Sequence, residues 1–265
     1  MSLRTAAAHR NLLYLLSLRE LRTRYKKSFL GWAWSLLNPL MQMAIFTVIF
    51  LYVLKATPPL GQPSGLQNFP LYFLTGVLPF NFVSITIGVA IGSVQGGAGL
   101  IQKVQFPHEH LVFSIVIAQF ITLLIELVVL VIALLIAGNM VLLWIPVLIP
   151  ILVLLAVFTA GIALALSALN VFYRDVNYLW GILTMVLFYA TPIIYDPATI
   201  DIEALRWIAN YAPTGSFITA VREVTYNLRG PGWGRMLQLT SFAFVSFFTG
   251  AWLFAKLSPR FAEEM

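Results

Sequence analysis

The 265-residue chain has no cysteine and little charge, with Asp, Glu, Lys and Arg making up only 10% of it. Without thiols there are no disulfides and no thiolate metal sites. Soluble domains carry charge on about a quarter of their residues, so this chain has too little to cover a water-exposed surface. No G-x-x-x-x-G-K-[ST] loop occurs either, so nothing in it is built to cradle nucleotide phosphates. Histidine is limited to His9, His108 and His110. The pair in "FPHEH" lacks the H-E-x-x-H spacing that sets two rings on one helical face, and reads as a polar collar at a helix start after Pro107.

What the chain does have is apolar length. It is 60% hydrophobic with a mean hydropathy of +0.89, which makes it an all-α membrane protein. Lys and Arg number 16 against 10 Asp and Glu. In such a chain the excess marks cationic cytoplasmic edges and not nucleic-acid binding. A spanning helix needs roughly 20 apolar residues, and stretches of that length, uncharged apart from Glu126, run over 28–54, 71–93, 111 to the break at Gly138 and Asn139, on to 173, 176–195 and 236–255. Six transmembrane helices put both termini on one side. The cations of the N-terminal segment, Lys103, Arg174, Lys256 and Arg260 outnumber those of the other side, so both termini are expected in the cytoplasm. The first apolar run starts late and is long enough to span, which argues against a cleaved signal peptide.

The opening segment reads as an amphipathic interface helix. Tyr14, Leu18, Leu21, Tyr25 and Phe29 form an apolar stripe, Arg19, Arg22 and Lys26 a basic one beside it, and Glu20 stands four residues before Arg24. Trp32 and Trp34 are expected at the membrane interface, with Pro39 in an early turn of the first span. After Asp196, "DIEALRWIANY" and "TGSFITAVREVTYNL" read as two short amphipathic helices separated by Pro213, a hairpin over 196–235 that dips into the outer leaflet. "RGPGWGR" then turns the chain into the last span.

These motifs resemble a family. "RYKKSFLGWAWSLLNPL" is similar to the opening segment of the permease subunits of type-2 ABC exporters that move polysaccharides, the O-antigen and teichoic acid group. Arg24, Tyr25, Ser28, Leu30, Gly31, Trp34, Leu37 and Pro39 fit its pattern. "LIQKVQFP" resembles the link between the second and third spans of that group, and "NVFYRDVNY" the link between the fourth and fifth. "NYAPTGSFITAVRE" resembles the segment before the sixth, with Ala212 inserted ahead of Pro213. The resemblance implies one ABC-2 type transmembrane domain over 1–265, with an interface helix over 1–31, a six-span region over 32–257 and a tail over 258–265. It also implies a homodimer of this chain in the bacterial cytoplasmic (inner) membrane, joined to two ATP-binding subunits that hold ATP and magnesium, and a lipid-linked polymer as substrate. This chain itself would carry no cofactor and no catalytic residue. An ABC-2 exporter of a drug or small lipid shares that architecture. A membrane glycosyltransferase would want surface acids for a nucleotide-sugar and its metal, whereas Asp175 is the only aspartate on the cytoplasmic side, where it pairs with Arg174 or caps the fifth helix.

Two sets of residues are candidates for function. Rings that stack on sugar faces can hold a sliding chain without a deep well; Phe46, Phe50, Phe188, Tyr189, Tyr195, Trp207 and Tyr211 are the candidate path, against the alternative of ordinary packing and interface belts. Arg19, Arg22, Lys26, Lys103, Phe106, Pro107 and His108 are the candidate dock for the ATP-binding subunit, the basic ones alternatively anchoring in lipid. Arg206 and Arg222 either face phosphates or headgroups, or pair with Glu203 and Glu223. Glu126, the one carboxylate well inside a span, is either a proton-coupling group or a protonated, hydrogen-bonded carboxyl facing another helix.

Overall fold

In the computed structural model, which describes residues 3–24, 31, 33–55, 57–101 and 106–264, the described residues form helices and connections with no strand. Helix α1 covers Leu3–Arg24, α2 Ala33–Thr47 with a π-helical continuation over Val48–Val53, and α3 Phe69–Ile91. Two short helices, α4 (Ser93–Gly96) and α5 (Ala98–Ile101), lead to α6 (Glu109–Ile136), α7 (Ile145–Phe172) and α8 (Val176–Ala190). The chain ends with α9 (Glu203–Tyr211), α10 (Pro213–Thr225), α11 (Trp233–Leu257) and α12 (Phe261–Glu264). Among the described residues, five segments are long and apolar enough to cross a membrane: Ala33–Val53, Phe69–Ile91, Glu109–Ile136, Val141–Phe172 and Trp233–Arg260. The fifth expected span, α8, is a shorter apolar helix of 15 residues. At 1.5 Å per residue it is about 22 Å long, short of a hydrocarbon core of about 30 Å.

Local chemistry sets most boundaries. The Asn68 side chain accepts from the Leu71 amide at 3.1 Å and Pro70 occupies the first turn, which starts α3. Glu109 sits in the first turn of α6 after Pro107, so the polar collar expected at "FPHEH" is present. Gly138, at φ +85°, ends α6 by letting the Asn139 amide turn back to the Leu134 carbonyl. Ala212 is the extended joint between α9 and α10, and its carbonyl accepts from Ser216, so the residue inserted ahead of Pro213 caps α10.

Packing depends on contacts remote in sequence. Helix α3 is the core: it contacts α2, α6, α7, α8 and α10, and Phe73, Val77, Ile87 and Ala90 are fully buried. Helices α7 and α11 approach backbone to backbone. A Cβ on Gly250 would collide with the Gly161 carbonyl, one on Gly161 would collide with Ser246, and the Ser246 hydroxyl donates to the Phe158 carbonyl at 2.9 Å. Small residues at a crossing permit the close approach that drives association in lipid. At one end of the bundle Phe261 meets Phe172, Phe254 and His108. At the other, the Asn139 amide donates to the carbonyls of Thr225 and Tyr226, and the Tyr226 hydroxyl to that of Pro59.

Several expectations change. Tyr14 is 63% exposed, whereas Leu16 and Ser17 are buried, because α1 turns a different face of its turn toward α6. Pro39 is the seventh residue of α2, beyond the first turn. Asp175 stands at the N-cap of α8 without a side-chain cap bond, and the ion pair between Arg229 and Glu223 is the one found among the described residues. Lys26 and Lys103, with Tyr25, Phe29 and Trp32, lie outside the described residues.

Candidate functional site

The candidate rings fall into two groups. Phe46 and Phe50, one turn apart on α2 and its π continuation, stack on Phe73 and Phe69 of α3 with centroids at 5.0 and 5.1 Å. Phe46 also reaches Phe188 of α8 at 5.8 Å, and Phe188 meets Tyr189 edge-on at 5.3 Å. Four candidates thus form a continuous aromatic ladder across α2, α3 and α8. Phe46, Phe50 and Phe188 are partly buried in it, while Tyr189 is largely exposed.

Tyr195 has a different job. Its hydroxyl donates to the carbonyls of Tyr189 and Ala190 at 3.1 Å, closing the end of α8. Tyr189, Tyr195, Leu205 and Ile208 line a groove of about 360 Å³ between α8 and α9. Beyond it Trp207 and Tyr211 pair at 5.5 Å on the exposed side of α9. The ladder and this pair are therefore separated by a groove to which Tyr195 belongs.

Above the ladder lies the feature that sequence reasoning missed. The segment after α8, Thr191 to Tyr195, is not helical, and Thr191, Pro192 and Ile193 are buried. Irregular backbone in such a setting needs partners for its carbonyls. Arg222 of α10 supplies them, donating to the Pro192 and Ile193 carbonyls and to the Tyr72 hydroxyl at 3.0 Å, with its guanidinium 3.8 Å from the Tyr72 ring centroid. Gly76 leaves room for it, since a Cβ there would press on the guanidinium. Arg222 does not pair with Glu223, which binds Arg229 at 2.8 Å, and Arg206 donates to the Ile200 carbonyl and not to Glu203. Burial lowers the Arg222 pKa, opposed by the Tyr72 phenol, yet a guanidinium keeps its charge. Burial raises the Tyr226 phenol above its ordinary value. The one legible signal was a lone arginine amid the apolar residues of "FITAVREV".

At the opposite end, Arg19 and Arg22 are exposed on α1. Phe106 meets His108 edge-on at 5.7 Å, and His108 Nδ1 lies 3.3 Å from the Ser258 hydroxyl. Pro107 lies between Phe106 and His108, two residues before α6 begins at Glu109. His108, Phe113, Leu164 and Phe254 line a groove of about 590 Å³ at this end. The candidate dock is therefore organised around the tail of α11. In "NVFYRDVNY", Asn170 donates to the Ile91 carbonyl at 3.1 Å and to Gln95 at 3.2 Å, tying α7 to α3 and α4. Glu126 lines a cavity of about 310 Å³ among α2, α3 and α6 with Asn38, Asn81, Gln119 and Thr122, a polar pocket inside the apolar bundle.

A profile of the ABC-2 type transporter family matches residues 11–226. The chain is 29% identical over 258 residues to the O-antigen export system permease protein RfbA of Myxococcus xanthus, covering 97% of this chain and 96% of that protein. A Klebsiella pneumoniae protein of the same name is 31% identical over 258 residues, covering 96% of this chain and 94% of its own. The polysialic acid transport protein KpsM of Escherichia coli is 34% identical over 85 residues, 32% of this chain and 31% of that protein.

Proposed function

This chain belongs to the ABC-2 type transporter family, and from that premise we propose that it is the membrane subunit of an ATP-driven exporter of polysaccharide. Full-length similarity to O-antigen export permeases supports the substrate class. The working unit in this reading is two copies of the chain with two ATP-binding subunits in the bacterial cytoplasmic membrane. Each copy is a single domain crossing six times with both termini in the cytoplasm, and the substrate is a lipid-linked polysaccharide or teichoic-acid-like polymer. ATP and magnesium belong to the partner subunit.

One observation carries the reading. Two of the three helices that hold the aromatic ladder, α2 with its π continuation and α8, turn their remaining surface out of the bundle: Met41, Ile45 and Tyr52 on one, and Tyr178, Ile182 and Met185 on the other, are exposed. A ladder at the edge of a single copy becomes the wall of a pathway when a second copy faces it. Helix α8 also reaches from the end near Phe172 to the end near Arg222 through the bent Thr191 to Tyr195 segment, which supports a sixth crossing made of a short helix and a non-helical stretch of chain. The hairpin of α9 and α10 caps that end as a re-entrant element, with α10 buried against α3 and α7.

The test is export itself. Cells lacking the chain should lose surface polysaccharide, and the purified chain should hydrolyse ATP only with its partner. Charge reversal at Arg19 and Arg22 should leave the complex intact and its ATP turnover running while export falls. Intrinsic ATPase activity of this polypeptide, or unaltered surface polymer in its absence, would overturn the proposal.

A further inference from the structure

We infer that the cleft beneath the α9–α10 hairpin is a binding site for a phosphoryl group, carried by a lipid headgroup or free in solution. The cleft measures about 580 Å³, within the range of small-molecule sites. Four arginines line it: Arg206, Arg222, Arg229 and Arg235. Arg229 has a carboxylate partner in Glu223. The other three are held by neutral acceptors: Arg206 by the Ile200 carbonyl at 2.9 Å, Arg235 by the Asn210 carbonyl at 2.6 Å and the Ser216 hydroxyl at 3.3 Å, and Arg222 by carbonyls and a phenol. Carbonyl dipoles orient a guanidinium but do not cancel its charge. Asp196 is the other acid on the cleft wall, and its Oδ1 accepts from the Ala198 amide. Four cations against two carboxylates leave the cleft positive.

A second feature points the same way. Thr219 lines the cleft, and its hydroxyl is shielded from solvent with no hydrogen-bond partner. A buried hydroxyl left unpaired is costly, and a turn of the Thr219 side chain toward the cleft would let an anion oxygen satisfy it. Guanidinium groups present forked donors that match phosphate oxygens two at a time. Because backbone carbonyls already hold these arginines, little rotamer freedom is lost when a ligand arrives. Next to the cleft, α9 and the residue before it expose Ile202, Leu205 and Ile208, an apolar surface suited to the chains of a lipid whose headgroup enters the cleft.

The chemistry of the cleft stands on the geometry; that it opens to the outer leaflet rests on the topology proposed above. The test uses the complex purified with its ATP-binding partner and three probes: inorganic pyrophosphate, geranylgeranyl diphosphate and phosphatidylglycerol in nanodiscs. Wild-type complex should bind at least one saturably, with affinity falling as salt rises. Replacing two arginines together, Arg206→Gln with Arg235→Gln, should weaken binding about tenfold or more, and Thr219→Val about threefold or more. Lys256→Gln removes a charge where Lys256 lies over the Trp252 ring and should leave binding unchanged. If the double variant does not assemble, Arg206→Gln alone, at an exposed side chain, carries the same test. Tighter binding of geranylgeranyl diphosphate than of pyrophosphate, or phosphatidylglycerol retained only by wild type, assigns the phosphoryl group to a lipid; equal binding of the two diphosphates assigns it to a free anion. No saturable binding of any probe, or equal binding by the variants, overturns the site. Absent binding with export intact overturns this inference alone, whereas binding by a chain dispensable for export overturns only the proposed function.

Discussion

A single side-chain atom decides whether α7 and α11 can meet. Gly250 faces the Gly161 carbonyl with no room for a Cβ, while Gly234, on the same helix α11, has no neighbour within 4 Å. Gly250→Ala should therefore push the helices apart and cost about 1–3 kcal/mol, lowering the melting temperature of the purified complex by several degrees. Gly234→Ala should be neutral or slightly stabilising, since alanine is the better helix former by about 1 kcal/mol. Equal melting temperatures for the two variants would show that the crossing relaxes without cost. Arg222 makes the same point with charge: its value lies in the several acceptors it reaches at once, which a lysine's point charge cannot reproduce.

Among the elements, the hairpin separates a ring that holds the fold from rings that lie exposed on its surface. Tyr195 closes α8 through its hydroxyl, whereas Trp207 and Tyr211 are 63% and 48% exposed on α9. Trp207→Ala with Tyr211→Ala should reduce surface polysaccharide while complex recovery and basal ATP hydrolysis hold. Tyr195→Ala should lower recovery as well, because it frees the α8 carbonyls, and Tyr195→Phe should reproduce that loss without removing the ring. Full export by the double variant would take α9 out of the pathway. The hairpin was legible in sequence because Pro213, at the first position of α10, interrupts two amphipathic repeats. Its depth was not, because the burial of Phe217, Ala220 and Val224 comes from α3 and α7, far away in the chain.

The absence of cysteine from this chain lets its contacts with a second copy be probed with single introduced thiols. If two copies face each other through α2 and α8, Tyr52→Cys or Met185→Cys should give disulfide-linked dimers in oxidised membranes, since two thiols bridge only when their Cα atoms lie within about 7 Å. Leu143→Cys, exposed where α7 begins, should stay monomeric on the same gel. Dimers through Leu143 and none through α2 or α8 would place the second copy on a different face.

Read alone, the sequence determined the elements: the apolar lengths of the long helices, the break at Gly138, the joint between two short helices at Pro213, the polar collar with Glu109 at a helix start, and the basic pair Arg19 and Arg22. Each of these depends on neighbours within a few residues, where periodicity, capping and turn chemistry act. The folded bundle decided which residues meet. It joined Phe46 to Phe188, set Gly161 against Gly250, brought Arg222 to the Pro192 and Ile193 carbonyls and gathered four arginines into one cleft. It also shortened α8, because a chain whose carbonyls find a guanidinium from another helix need not stay helical to satisfy them. Such partners lie tens to more than a hundred residues apart, and in an apolar chain nearly every helical face is greasy enough to be buried. Hydropathy therefore cannot choose among the faces; steric fit between backbones and the need to satisfy buried polar groups make that choice.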